Sequence, residues 1–440
     1  MNKVEVIHRT LDSGVQVILL PVPWRKALAI GFWVLKGSAN EPSQYQGLSH
    51  FLEHMVFRGT AKFSSRQIVE SIERLGGTID AYTSKEETCF FTTLLGEYYR
   101  TGLEVLSDLV SAPKLSPEDL ERERKIVLTE IADNFDDPDS LAQDIFTVLL
   151  FGDNSLGGPI LGTRATVEKI TPDIMRSFWR NAYSDGNILI GASGDVDPEG
   201  FLDTLNRFFS PPAPDGAFNL LQPEFSTEND GKFFLVPGKF SQVQFFIGVK
   251  TFPFEDSRRY PLALLDTIMG RGSSSRLFQK IREEMGLVYT IQSFSDLFSR
   301  TGLWAVYAAT SKENLGALAE AVFAEMRRIA EQVPSPEELE NAKNFLKGKL
   351  YLTSEGLWAN LSRAIEGYRY TGRVIPIEET VDRIMGVSGE EVSQLAAELF
   401  KPENLVALAF GDIPGQTPDI PMEFVRREIE DIIPQSPRAS

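Results

Sequence analysis

The chain has 440 residues, 42% hydrophobic and 24% charged, with 44 basic and 62 acidic side chains and a net charge of −18. This length exceeds one ordinary core and predicts two or more domains. The acidity argues against nucleic acid and anionic membranes as partners, serves solubility, and suits cationic partners such as basic peptides. No apolar run is long enough to span a bilayer, and the first residues lack the apolar core of a signal peptide. The single cysteine, Cys89, rules out an internal disulfide and fits a reducing compartment, so a cytoplasmic location is expected.

Val4, Val6, Val15, Val17 and Leu19 alternate about Asp12-Ser13-Gly14, which predicts two strands joined by a tight turn. Residues 27–36 predict a third strand. Pro42 and Ser43 signal the start of a helix, Leu48, Phe51, Leu52, Met55 and Val56 give it one apolar stripe, and Arg58-Gly59-Thr60 ends it. Ser64 or Ser65 caps the next helix, with Ile68, Ile72 and Leu75 on one side and Gly76-Gly77 at its end. Residues 78–95 predict two strands joined near Ser84-Lys85-Glu86, and residues 97–110 a helix. Ser116-Pro117-Glu118-Asp119 opens a longer helix through Ile131, on which Glu123 and Glu130 lie two turns apart on nearly one face. Helices at 139–150 and 172–181 and a strand at 187–195 follow.

The pattern then repeats. Residues 404–412 match 187–195 at an offset of 217 positions, and the same offset carries Gly31 onto Gly248 and Thr171 onto Ser388. The join, rich in Pro, Gly and polar residues from Ser210 onward, reads as an exposed linker. The expected organisation is a first domain at 1–215, a linker at 216–232 and a homologous second domain at 233–440. Strands and amphipathic helices mix without short strand–helix–strand alternation. The expected class is α+β, with each domain an antiparallel sheet with helices packed on one face. The tail 432–440 is expected to be flexible.

The chain has three histidines, His8, His50 and His54. Two of them frame His50-Phe51-Leu52-Glu53-His54, an H-x-x-E-H motif that reverses the H-E-x-x-H of zinc proteases. Four-residue spacing puts both imidazoles on one helix face, with Cβ atoms roughly 5–6 Å apart, so both can reach one metal ion. Glu53 shares that neighbourhood without having to be a ligand, and its carboxylate is free to act on a water at the metal. A catalytic zinc ordinarily has a third protein ligand. His8 is a poor candidate, a carboxylate from another helix is needed, and spacing alone does not choose it. Iron for an oxygenase is a rival use of two histidines and a carboxylate, but a Glu between histidines on one helix suits water activation better. At the offset of 217, His50, Glu53 and His54 fall on Thr267, Gly270 and Arg271. The second half therefore shares the outline without the ligands.

The H-x-x-E-H motif, the segment from Glu123 to Ile131 some 75 residues later, and Gly76-Gly77-Thr78-Ile79-Asp80-Ala81-Tyr82-Thr83-Ser84 together resemble the pitrilysin family of metallopeptidases. The likeness is to the mitochondrial processing peptidase and its bacterial relatives of this length, and it covers nearly the whole chain. The resemblance implies one Zn2+ per chain held by His50, His54 and Glu130, with Glu53 as general base and Glu123 orienting a ligand. It also implies that Arg282 and Tyr289, seven residues apart, contact the substrate and help stabilise the reacting carbonyl. A peptide would add as an extended strand near Asp80, Ala81 and Tyr82. Asp80 stands where the family commonly has Asn, and an ionised Asp accepts hydrogen bonds without donating any. The family's chamber takes four such domains, so a homodimer is expected, or else a homologous partner subunit. The alternative reading is a non-catalytic peptide-binding or scaffold subunit of a heteromeric peptidase.

Overall fold

The computed structural model describes residues 5–152, 155–222 and 231–414. They fall into two units, each drawn from both halves of the sequence. The first comprises Met1–Ala132, Gly158–Pro223 and Leu352–Ile375, and the second the remainder. The expected contiguous domains, 1–215 and 233–440, are therefore interleaved, because periodicity shows that a helix has an apolar face but not which sheet buries it. Of the expected linker, residues 216–222 belong to the first unit, where Leu221 and Asn40 exchange hydrogen bonds of 2.9 and 3.1 Å. Residues 223–230, and the tail at 415–440, lie outside the described residues.

The first unit holds β1 (Ile7–Thr10), β2 (Gln16–Pro21), β3 (Ala27–Val34), α1 (Leu48–Val56), α2 (Ser65–Glu73), β4 (Thr78–Thr83) and β5 (Thr88–Leu95). α3 (Tyr99–Ser111) and the long α4 (Pro117–Asp136) follow. After α5 (Pro138–Phe151), which belongs to the second unit, come α6 (Arg164–Val167), α7 (Pro172–Ala182), β6 (Ile188–Gly194) and α8 (Pro198–Phe208). The strands order β1-β2-β6-β3-β5-β4, antiparallel throughout except for the parallel β2–β6 pair. Gly14, at φ +90°, closes the β1–β2 turn.

Period-two alternation on β3 sets the layers. Ile30 meets α3, which comes close because position 102 is glycine, and Phe32 packs edge-on against Phe209. Ala29 and Trp33 face the other way and join Ile18, Leu20, Cys89 and Leu189 in a second cluster. That reverse face is covered by α12 (Leu357–Thr371), 260 residues downstream of α3 in the chain, through Leu361, Ala364 and Ile365. Trp358 stacks on both Trp33 and Phe91, with centroids 5.3 and 4.1 Å apart. Gly31 leaves the room: a Cβ there would lie 2.4 Å from the Trp33 ring and 3.0 Å from that of Trp358.

The second unit repeats the plan. It has β7 (Lys232–Pro237), β8 (Val243–Thr251), α9 (Arg259–Met269), a π-helical turn at Phe278–Glu284, β9 (Val288–Leu297) and β10 (Gly302–Thr310). α10 (Leu315–Glu331), α11 (Pro336–Ser354), α13 (Ile377–Gly386), α14 (Gly389–Leu399) and β11 (Val406–Gly411) complete it. The order β7-β11-β8-β10-β9, with β7–β11 parallel, matches β2-β6-β3-β5-β4. Phe245, Ile247 and Val249 of β8 face a core with α9, α10 and α14, while Phe246 stacks with Phe146 of α5 on the reverse face. Gly248 sits beneath Phe146, as Gly31 sits beneath Trp358. Thr171 and Ser388 both cap helices, accepting from the N–H of Ile174 and Glu391. The class is α+β with two homologous sheet units, and each sheet carries one further helix on its outer face.

Candidate active site

The motif helix α1 begins at Leu48; Pro42 and Ser43 open only a 3-10 turn at Ser43–Tyr45. Its cap residue is Gly47, at φ +91°, where a Cβ would lie 2.4 Å from the Leu161 carbonyl oxygen. A glycine cap offers no side-chain acceptor for the free N–H groups of the first turn. Glu41, fully buried, supplies it, accepting from the N–H of Gly47 at 2.7 Å and of Ser49 at 2.5 Å. Burial nevertheless outweighs these bonds and pushes the Glu41 carboxyl up to about 7.

His50 and His54 lie one turn apart with ring centroids at 4.7 Å. Their Nε2 atoms stand 3.7 and 3.4 Å from the same atom, Oε2 of Glu130 on α4. One ligand atom from each of the three lies within 4.8 Å of the others. Burial, and then the neighbouring His54, lower the His50 pKa to about 4, so its imidazole is neutral at pH 7 with a lone pair to give. Glu130 Oε2 is shielded from solvent and accepts no hydrogen bond. Two imidazole nitrogens and a carboxylate oxygen, converging without bonding one another, fit a zinc ion.

Glu123, two turns earlier on α4, is completely buried and stands 3.5 Å from Nδ1 of His54, the ring nitrogen turned away from Glu130. Arg58 Nε meets its other oxygen at 2.5 Å, so the charge is paired. Glu53 is mostly buried, and its Oε2 accepts from the Thr83 hydroxyl at 2.5 Å. Burial raises the Glu53 pKa, while the Thr83 bond and His54 pull it back.

β4 is an edge strand of its sheet. Ser84 N–H donates to Glu87 O, and ladder alternation then turns the backbone groups of Ile79, Ala81 and Thr83 toward the open edge. Asp80 is exposed, and its Oδ1 accepts from the Ala81 N–H at 2.8 Å. The Tyr82 side chain turns inward: its hydroxyl donates to Glu87 at 2.8 Å and accepts from Trp33 Nε1 at 3.3 Å. In the second unit Tyr289 is 78% exposed, and the Arg282 guanidinium lies 5.3 Å from its ring centroid and 4.6 Å from that of Phe278. At the offset positions of the motif, Thr267 is buried, Gly270 follows α9, and Arg271 pairs with buried Asp266.

Sequence reasoning missed Glu41, Arg58, Thr83 and Arg369, which binds Glu86 and Glu87. Arg58 lies four residues after His54, just past the end of α1, and its partner Glu123 is on another helix, which no local spacing connects to it. Glu41 and Thr83 act across loops and strands, where no local period marks them.

A family model described as insulinase (peptidase family M16) matches residues 17–164, and one described as peptidase M16 inactive domain matches residues 169–346. An uncharacterized zinc protease of Bacillus subtilis, YmxG, is 32% identical, with 91% of this chain and 97% of that protein covered. An uncharacterized zinc protease of Rickettsia felis is 30% identical, with 89% and 94% covered. Among solved structures, a protease from Helicobacter pylori superposes with TM-score 0.87 at 17% identity, over 93% of this chain and 99% of that one. A peptidase M16 inactive domain from Pseudomonas fluorescens gives TM-score 0.85 at 18% identity, over 94% and 100%. These two structures are alike in fold.

Proposed function

Because the chain belongs to the M16, pitrilysin-like peptidase family, we propose that it is a zinc-dependent endopeptidase hydrolysing unfolded or extended peptides. The observation that carries this reading is the convergence of His50, His54 and Glu130, with Glu53 on the same helix as the histidines. His50, His54 and Glu130 would hold the ion, and Glu123 would keep His54 oriented through Nδ1. Zinc bound there supplies Lewis acidity toward a water and a peptide carbonyl. Glu53 takes the proton of the attacking water and delivers it to the leaving amine. Ala81, with its backbone turned to the open edge of β4, pairs with an extended peptide once its N–H leaves Asp80. Exposed Tyr289 and the half-buried Arg282 beside it are proposed as further peptide contacts.

Homologues named zinc proteases support the metal and the peptidase class. The match of the C-terminal half to an inactive domain agrees with the loss of the motif at Thr267, Gly270 and Arg271. A homodimer enclosing a chamber, and a cytoplasmic setting, are part of the same proposal. No helix among the described residues is long and apolar enough to cross a membrane. The test is hydrolysis of a mixed set of unstructured peptides by wild type and Glu53→Gln, with chelator and zinc add-back. Activity lost with chelator, restored by zinc and lowered about 10²–10⁴-fold in the variant is the expected result. A zinc-loaded wild type that binds peptides and cleaves none would favour the non-catalytic subunit instead.

A further inference from the structure

Resting on the peptidase reading, we infer that Thr83 is the positioning residue for the general base: its hydroxyl holds one oxygen of Glu53 and leaves the other to take the proton. A carboxylate on a free side chain presents either oxygen in any rotamer. Here the Thr83 hydroxyl donates to Oε2 at 2.5 Å, which commits that oxygen and fixes the plane of the group.

The place of Thr83, at the end of an edge strand, is itself secured by contacts from several segments. Thr83 and Thr88 form the last pair of the β4–β5 ladder, and Ser84 N–H closes the hairpin onto Glu87 O at 2.8 Å. The carbonyls of Ser84 and Lys85 accept from the N–H groups of Ser38 and Ala39 at 3.1 and 2.7 Å. That contact requires glycine at position 37, where a Cβ would lie 2.3 Å from the Ser84 oxygen. On the far side, Arg369 of α12 pairs with both Glu86 and Glu87, donates to the Glu86 carbonyl at 2.8 Å, and is joined by the Tyr370 hydroxyl at 3.0 Å from Glu86 Oε2. A hairpin tip tied from three directions holds its neighbouring hydroxyl at one point relative to α1. The helix that supplies the third tie comes from the C-terminal half of the sequence. The aim of the base therefore depends on a helix more than 250 residues further along the chain.

The test compares Thr83→Val, which keeps the shape and loses the hydroxyl, with Thr83→Ser, which keeps the hydroxyl. With zinc-loaded protein, Thr83→Val is expected to lower kcat at least about tenfold, with KM within about twofold of wild type. Zinc stoichiometry and affinity should stay at the wild-type values, and Thr83→Ser should recover kcat to within about threefold. Loss of zinc in step with loss of activity, or full activity in Thr83→Val, overturns the assignment. Should valine disturb the fold, Thr83→Ala against Thr83→Ser makes the same comparison. Crystals of the metal-free proteins give a readout that needs no turnover. The Glu53 carboxylate should stay on the residue-83 hydroxyl in wild type and Thr83→Ser, and leave that position in Thr83→Val. Glu53 unmoved in Thr83→Val refutes the inference even if peptide hydrolysis is never found, whereas a moved Glu53 with no hydrolysis by any of the proteins supports Thr83 as the residue that positions the carboxylate and overturns the peptidase reading alone.

Discussion

Glu41 makes a quantitative prediction about pH. Its carboxyl is buried completely and pushed from 4.5 to about 7, with burial raising it and the bonds from Ser49, Gly47 and Leu48 lowering it. Because the folded state holds this proton more tightly than the unfolded chain, the contribution is fully present below pH 4.5. It is lost as pH rises toward 7 and is gone above that. A shift of this size corresponds to about 3 kcal/mol, at 1.36 kcal/mol per unit. Glu41→Gln has the same shape and no titration, so it isolates the effect. Urea unfolding of metal-free wild type and Glu41→Gln, from pH 4.5 to 8, is the assay. The wild-type stability relative to the variant should fall by about 3 kcal/mol across that range, with most of the change between pH 5 and 7. Parallel curves would refute the reasoning. They would mean that the N–H groups of Gly47 and Ser49 hold the carboxylate charged throughout, and that hydrogen bonding outweighs burial at this helix end.

Other expectations follow from the same contacts. Arg369→Met removes the guanidinium shared by buried Glu86 and half-buried Glu87, which should cost about 3–5 kcal/mol in chemical denaturation and speed amide exchange at residues 84–87. Leu361→Ala empties a fully buried position between α12 and the first sheet and should cost about 2–5 kcal/mol, although it lies more than 300 residues from His50. Glu123→Gln removes the charge that faces Nδ1 of His54 and pairs with Arg58. Zinc affinity, measured by competition with a chelator, should fall about 10- to 100-fold.

Much of this protein is legible from its order of residues. The i, i+4 histidines with Glu53 between them need only helical geometry to share a face, and the apolar stripe of α1 is local. The offset of 217 positions also carries physical content. Gly31 and Gly248 each lie where an outer helix crosses a strand, and Thr171 and Ser388 each cap a helix after the same interval. Glu130 could be named only through resemblance, because acids are plentiful and nothing local distinguishes the one whose oxygen meets both imidazoles. The start of α1 was misplaced for a related reason. Pro42-Ser43 is an ordinary start signal, while the true cap is a glycine in left-handed geometry served by a carboxylate from six positions upstream.

What the sequence determined by itself is the set of interactions whose partners are neighbours in the chain: the strand alternation, the helix stripes, the caps and the paired motif histidines. Which sheet each amphipathic helix covers was decided only in the tertiary structure, and α5 and α12 each pack on the sheet of the other half. An apolar face records that burial is needed but not where, since the hydrophobic effect has no direction of its own. The same holds for the buried charges. Glu41, Glu123 and Arg369 look like surface residues in the sequence, and only the fold supplies the N–H groups, the guanidinium and the carboxylates that make their burial possible.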